Sequence, residues 1–133
     1  MLPTILKWMV VKYSSRLENF SLRQWYDDFN VGVSGAFLCS RIFGSTMANA
    51  GSGVIINISS DLGTIAPDQR LYQQEGVPEE KQSVKPVSYS VTKHAIISLT
   101  KYLSTYWAHK GVRSNTLCPG GICAGQSDDF KKN

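Results

Sequence analysis

The sequence has few of the features that mark a secreted, metal-binding or membrane-spanning protein. Its three cysteines, Cys39, Cys118 and Cys123, form no CxxC pair, and neither histidine has metal-ligand spacing. We therefore expect reduced thiols, no metal site and a cytoplasmic location. No apolar run approaches the roughly 20 residues that cross a bilayer. Lys7 and Lys12 interrupt the apolar start of the chain and no small-residue cleavage site follows, which argues against a signal peptide.

The charge pattern excludes a second group of functions. Fourteen basic and ten acidic residues leave a net charge of +4, and the basic residues are scattered along the chain. A nucleic-acid-binding surface needs a basic stripe with aromatic residues within it, so we expect neither nucleic acid nor a membrane as a partner. With 42% apolar and 18% charged residues among 133, the composition is that of one ordinary globular domain.

The first half of the chain predicts a helix followed by a strand. A capping-box pattern at Ser21 and Gln24 starts a helix over residues 21–49, in which apolar side chains recur every three or four residues. The run VIINIS, residues 54–59, is β-branched and almost continuously apolar. Such a run predicts a strand that is buried on both faces of a parallel sheet.

The second half repeats this alternation after a long connection. Residues 61–86 are polar and rich in proline, which predicts a loop without long regular structure. The helical period returns over residues 87–110 and ends at Gly111, and residues 112–121 predict a second strand that runs into a turn. The predicted apolar stripe of this helix is Val91, Ala95, Ile96, Leu99, Leu103, Tyr106 and Trp107. The alternation predicts an α/β fold with a parallel sheet.

Three residues near the predicted sheet edge could carry chemistry. Ser60 follows the first strand at its carboxyl end, where α/β folds place their sites. Tyr89 and Lys93 are four residues apart and share one face of the second helix. Each feature also has an ordinary structural explanation, because serines often end strands and Tyr–Lys pairs are common on helix surfaces. A serine hydrolase is disfavoured, because the sequence has no GxSxG elbow.

Taken together, four motifs in this order resemble the short-chain dehydrogenase/reductase family. The resemblance runs from about Glu18 to the end of the chain. It implies an α/β fold with a partial Rossmann-like, doubly wound parallel sheet that lacks the N-terminal nucleotide-binding half. The four motifs are DDFNVGVSGAFL at residues 27–38, NISSDLG at 57–63, YSVTK at 89–93 and NTLCPGG at 115–121.

The resemblance assigns catalytic roles to four residues. Tyr89 would be the general acid/base for the substrate hydroxyl, and a nearby ammonium, that of Lys93, would favour its ionised form. Ser60 would hydrogen-bond the substrate oxygen and stabilise its developing charge. Asn30 would anchor a water molecule in the proton relay. The implied reaction interconverts a secondary alcohol and a ketone.

The resemblance also implies a nicotinamide cofactor, NAD or NADP, and a small-molecule substrate. Tyr89 and Lys93 would contact the nicotinamide ribose, and Pro119, Gly120 and Ile122 match the turn that lies along the nicotinamide. The connection between Ser60 and Tyr89 is longer than is usual in the family. It points to a branch that acts on sugars, polyols or sugar acids, and predicts that residues 64–86 form an exposed loop on the substrate side.

Departures from the family pattern leave a second hypothesis open. The chain contains no GxxxGxG turn for the pyrophosphate, residues 1–17 form an unassigned leader, and residues 18–133 correspond to a partial, catalytic-half domain. We therefore expect a truncated or partial chain. The alternative is a non-catalytic remnant that acts as a structural or dimerising fragment. Under either hypothesis, the chain is expected to form a homo-oligomer through helices 21–49 and 87–110. These helices correspond to the family's dimer-forming helices.

Overall fold

A computed structural model describes residues 16–121, in which helices and parallel strands alternate as predicted. The α/β fold class is therefore confirmed. Residues 1–15 and 122–133, including most of the predicted leader, lie outside the described part. The elements are α1 (Leu22–Phe29), α2 (Gly35–Ala50), β1 (Gly53–Ile58), α3 (Val87–Tyr106) and β2 (Val112–Leu117).

The first predicted helix begins at its predicted cap but is not a single α-helix. The Ser21 hydroxyl accepts a hydrogen bond from the backbone N–H of Gln24 at 3.1 Å, so the cap is confirmed. The Gln24 side chain does not complete the capping box, because it donates to the Asp28 carboxylate at 2.7 Å. The π-helical turn Asn30–Ser34 joins α1 to α2, and the Asn30 carbonyl accepts from the N–H of Gly35.

The two strands pair in parallel, with Gly53 opposite Val112 at one end of the register and Ile58 opposite Leu117 at the other. Each strand is preceded by a glycine in the left-handed region, Gly51 with φ 74° and Gly111 with φ 72°. The two glycines also meet, because a Cβ on Gly111 would lie 2.3 Å from the Gly51 carbonyl oxygen. Glycine is therefore required at Gly111 for both its conformation and the lack of space.

The apolar core lies between the sheet and helices α2 and α3. The Trp107 ring, only 8% exposed, packs so closely against Gly44 that a Cβ there would lie 2.3 Å from Cζ3 of the indole. Both helices cover the face of β1 that carries Ile55 and Asn57. The core consists of Ala48, Leu103, Trp107 and Val112, with Met47, Ile55 and Leu99 packed against it.

The prediction that β1 is buried on both faces is wrong for the described residues. Exposure alternates along the strand, and Val54, Ile56 and Ile58 are exposed while Ile55 is partly buried. The reason is that α2 and α3 lie on the same side of the sheet. A continuous apolar run therefore marks a strand whose second face is not covered within residues 16–121.

The predicted apolar stripe of α3 is also partly wrong. Val91 and Tyr106 are exposed, and the buried positions include Ser88, Thr92 and Thr100. Hydroxyl groups tolerate these positions because they bond to their own helix: Thr92 Oγ1 donates to the carbonyl of Ser88 at 2.7 Å, and Thr100 makes the equivalent bond to Ile96. The helix ends at Tyr106, and a 3₁₀ turn leads to Gly111.

The connection between β1 and α3 has no long regular element, as predicted. It contains three 3₁₀ turns, Asp61–Gly63, Gln69–Tyr72 and Glu79–Lys81. The side-chain amide of Gln82 closes the loop by bonding to the N–H and carbonyl of Gln74 and to the carbonyl of Val77. The loop is therefore ordered by its own side chains. None of the helices described is long and apolar enough to cross a membrane.

Candidate functional site

Ser60 lies directly beyond the carboxyl end of β1 and is 6% exposed. Its Oγ donates a hydrogen bond to the Asp61 carboxylate at 2.7 Å and accepts one from the N–H of Leu62 at 3.3 Å. The same carboxylate oxygen also accepts from the N–H of Leu62 at 2.7 Å. The serine is thus the N-cap of the 3₁₀ turn that follows the strand, which fixes its hydroxyl at the sheet edge.

Tyr89 and Lys93 come to the same edge from the start of α3. The Lys93 ammonium donates to the carbonyl of Ile58, the last residue of β1, at 3.1 Å. It also lies 5.7 Å from the centroid of the Tyr89 ring. Burial lowers the pKa of Lys93 below its ordinary value. The predicted serine, tyrosine and lysine therefore gather at one sheet edge.

Two further serines, to which the sequence assigned no role, fix α3 at this position. Ser59 Oγ donates to the backbone carbonyl of Lys93 at 2.7 Å, and the Ser88 hydroxyl donates to the Asp28 carboxylate. The first bond joins β1 to α3, and the second joins α1 to the turn of α3 that carries Tyr89. Both serines have ordinary local sequences, so only the tertiary structure distinguishes them from surface serines.

The long loop contributes two further titratable groups that sequence reasoning missed. The Lys85 ammonium lies 3.8 Å above the centroid of the Tyr89 ring. Burial lowers the pKa of Lys85, an effect that Asp61 opposes and Lys93 reinforces. Burial also raises the pKa of Tyr72, and the nearby Tyr89 and Asp61 raise it further. The only sequence signal was the unusual length of the connection.

Asn30 lies in the π-helical turn and its side chain is exposed. This turn packs on α3, since a Cβ on Gly32 would lie 3.5 Å from Cβ of Thr92. Thr92 lies between Tyr89 and Lys93 in the chain. Among residues 16–121 no hydrogen bond joins the Asn30 side chain to Ser60, Tyr89 or Lys93, so its role stays a prediction.

The turn that follows β2 lies at the same edge of the sheet as Ser60. The Pro119 carbonyl accepts from the N–H of Asp61 at 3.0 Å, which ties this turn to the one that holds Ser60. Gly120 is exposed and borders the Asp61 carboxylate, while Ile122 lies outside the described residues. The donors of Lys93 and Tyr89 and the open turn at Gly120 fit the ribose–nicotinamide end of a dinucleotide. In the described part of the chain, no group of histidine, cysteine and acidic residues could hold a metal ion.

A parallel strand pair covered by helices, with Ser60 and Lys93 at the carboxyl end of its first strand, is the arrangement of a Rossmann-like α/β fold. The family comparison agrees, because residues 9–133 match the family model for enoyl-(acyl carrier protein) reductase. The chain belongs to the short-chain dehydrogenase/reductase family.

Similar proteins include enzymes of polyol and sugar-acid metabolism. D-threitol dehydrogenase of Mycolicibacterium smegmatis is 31% identical over 77% of this chain and 33% of that protein. A short-chain dehydrogenase from Leptospira borgpetersenii, solved with bound NAD+, is 34% identical with a TM-score of 0.75, over 86% of this chain and 41% of that one. A gluconate 5-dehydrogenase from Burkholderia cenocepacia, solved with NADP and tartrate, is 28% identical with a TM-score of 0.63, over 78% of this chain and 34% of that one. The chain spans about a third of the curated relative's length.

Proposed function

We propose that the protein containing this chain is an NAD(P)-dependent oxidoreductase that interconverts a secondary alcohol and a ketone. The observation that carries the proposal is the Lys93 ammonium, which bonds to the last carbonyl of β1 and lies over the Tyr89 ring. This contact joins the acid/base candidate to the strand end that holds Ser60. The bound NAD+ and NADP of similar structures support the choice of cofactor.

In the oxidation direction, each group of the chain has a defined task. A bound nicotinamide would supply the acceptor for the hydride of the carbinol carbon. Tyr89, as general base, would take the proton of the substrate hydroxyl, so that the carbinol becomes a ketone and Tyr89 carries the proton. Ser60 releases Asp61 and donates to the substrate oxygen. Lys93 binds the ribose hydroxyls, and Asn30 anchors a water molecule in the proton relay.

The cofactor contacts proposed for this chain are confined to the nicotinamide end. Tyr89 and Lys93 would hold the ribose, and the turn that contains Pro119 and Gly120 would hold the nicotinamide ring. Ile122, assigned to the same turn from the sequence, lies outside the described residues. The hydrogen bond between the Pro119 carbonyl and the Asp61 N–H supports this arrangement, because it keeps the turn beside Ser60. The described residues contain no glycine-rich turn for the pyrophosphate.

The proposed substrate is a sugar, a polyol or a sugar acid. The relatives that act on D-threitol and gluconate support this class. The ordered loop between Ser60 and Tyr89 supports it too, because its hydrophilic side chains suit a hydroxylated substrate. Residues 18–133 are proposed to be the catalytic half of one domain, and the cytoplasmic location stays a prediction.

The test is a spectrophotometric assay of nicotinamide reduction with a panel of polyols and sugar acids. It is run on the 133-residue chain and on the product of the complete reading frame that encodes it. We expect turnover by the complete product that is lost in Tyr89→Phe. Absence of turnover with both NAD+ and NADP+ across the panel would contradict the proposal.

A dimerising fragment without catalysis is the second candidate. Its support is the row of exposed apolar side chains on α2 and α3, which we propose to pack against a second copy of the chain. Light scattering of the purified chain tests this assembly, and Phe37→Glu is expected to yield monomers. A monomeric wild-type chain would contradict it. The exposed side chains are Phe37, Leu38, Ile42, Phe43, Tyr102 and Tyr106.

A further inference from the structure

Hydrogen bonds within the long loop between β1 and α3 hold the backbone of Lys85 beside Tyr89. Its backbone N–H donates to Oε1 of Gln69 at 2.8 Å, and Nε2 of Gln69 donates to its carbonyl at 3.4 Å. The next residue, Pro86, is the N-cap of α3. The lysine backbone is therefore fixed both by the loop and by the start of the helix that carries the acid/base candidate.

The side chain of Lys85 is directed to the reaction centre rather than to open solvent. The lysine is half-buried, and its ammonium lies 3.8 Å from the centroid of the Tyr89 ring. This is closer than the 5.7 Å that separates the Lys93 ammonium from the same ring. Two ammonium groups thus flank one tyrosine, and each loses hydration as it is buried.

Neither lysine forms an ion pair with a carboxylate of the described residues. Within residues 16–121, the ion pairs involve Arg16, Arg23 and Arg70, and none involves Lys85 or Lys93. Asp61 is the acidic group that both acts on Lys85 and lies at the site, and its carboxylate already accepts from the Ser60 hydroxyl and the Leu62 N–H. The described part of the site consequently has an excess of positive charge.

We propose that Lys85 binds an anionic group of the substrate, a carboxylate or a phosphate, and so makes the enzyme selective for acidic sugars over neutral polyols. This inference rests on the proposed dehydrogenase function and narrows its substrate class. A buried cation that lacks an ion pair is stabilised by an anion that enters with the substrate. Because the ammonium lies 3.8 Å from the centroid of the Tyr89 ring, an anion bound to it would lie close to the acid/base candidate.

The kinetic test compares substrates that differ only in the anionic group. D-gluconate is paired with D-glucitol, and D-fructose 6-phosphate with D-fructose, so that carboxylate and phosphate are distinguished. Lys85→Met keeps the aliphatic stem over Tyr89 and removes the charge. We expect kcat/KM for the preferred anionic substrate to fall by about tenfold or more, with little change for its neutral partner. Lys81→Met, an exposed lysine in the same loop, is the matched control and should leave both unchanged.

A second measurement does not depend on turnover. Thermal unfolding is followed with added gluconate, glucose 6-phosphate or glucitol at constant ionic strength, and ligand binding raises the melting temperature. We expect at least one anion to stabilise the wild-type protein and the Lys81→Met variant, but not Lys85→Met. Equal shifts of the melting temperature in all three proteins would overturn the inference. If no substrate is turned over, the proposed function fails, and the thermal shifts still decide whether Lys85 binds anions.

Discussion

The Ser59 hydroxyl donates a hydrogen bond to the backbone carbonyl of Lys93 at 2.7 Å, so the end of β1 is bonded to the second turn of α3. The contact is tight, since a Cβ on Gly63 would lie 2.3 Å from this hydroxyl and 2.9 Å from the Lys93 carbonyl oxygen. The strand end, the helix and the turn after Ser60 therefore meet at one point. The position of Lys93 over the sheet edge depends on this junction.

Removing the Ser59 hydroxyl should cost about 1 kcal/mol of unfolding free energy, the usual net value of one intramolecular hydrogen bond. Urea denaturation of Ser59→Ala measures this loss. Ser45→Ala is the control, because Ser45 is exposed and bonds only within its own helix. We expect the control to change stability by less than about 0.5 kcal/mol. Equal stability of the two variants would show that the hydrogen bond between Ser59 and the Lys93 carbonyl does not contribute to the unfolding free energy.

Tyr89→Phe should remove catalysis without unfolding the protein. The phenyl ring keeps its packing under Lys85, while the transferable proton is lost, so kcat should fall by roughly 10²- to 10⁴-fold. Lys93→Met should lower kcat and should also raise the KM for the cofactor. Tyr102→Phe, which changes an exposed tyrosine on the same helix, is the matched control. Steady-state kinetics on the complete product give the values, and near-full activity of Tyr89→Phe would refute the assignment.

Gly44→Ala should destabilise the core because the new methyl group meets the Trp107 indole. Overpacking of this kind costs about 1 to 3 kcal/mol. Gly35→Ala is the matched change in the same helix, since its Cβ would lie at an ordinary 3.6 Å from the Asn30 carbonyl oxygen. There the higher helix propensity of alanine should stabilise by up to about 1 kcal/mol. Thermal unfolding of both variants tests whether Gly44→Ala lowers the stability of the protein and Gly35→Ala raises it.

The Asp68 carboxyl should remain ionised in acid to an unusual degree. Hydrogen bonds from the side chain and backbone of Arg70 hold its pKa at about 2, against an ordinary 3.8. Because the folded pKa is depressed, the stabilising contribution is present above the unfolded value and is lost as pH falls through about 2. Carboxyl ¹³C shifts measured against pH should show this, and Arg70→Ala should return the titration to the ordinary range. An unchanged titration would contradict the role of Arg70.

The alternation of helices and strands was predictable because it depends on local periodicity. The start at Ser21 is a property of a few neighbouring residues and is confirmed. The predicted end at Gly111 is displaced, because α3 ends at Tyr106 and Gly111 is the C-cap of the 3₁₀ turn that follows. The buried face of α3 was not predictable in this way. Thr92 and Thr100 look like surface residues, yet bonds to their own helix satisfy their hydroxyls, and only tertiary packing decides that they are covered.

The residues of the candidate site also divide into those that local sequence motifs indicate and those that only the tertiary structure shows. Ser60, Tyr89 and Lys93 could be found because their motifs are local and ordered along the chain. Lys85 and Tyr72 could not, since their positions depend on how a long loop closes on itself. The hydrogen bonds between Gln69 and Lys85 bring together two parts of the loop that are sixteen residues apart. No short sequence pattern indicates a contact at such a separation.

The π-helical turn Asn30–Ser34 has a consequence for insertions and deletions. A π turn contains one residue more than the α-helical turn it replaces, and each α-helical residue rotates the helix by about 100°. Deleting one residue there converts the π turn to an α-helical turn, so that α1 and the exposed apolar row of α2 keep nearly their present directions. A one-residue deletion inside α2 would instead rotate the part beyond it by about 100°. A sequence that aligns with a one-residue gap at Asn30–Ser34 should therefore present the same outer surface, and one with the gap inside α2 should not.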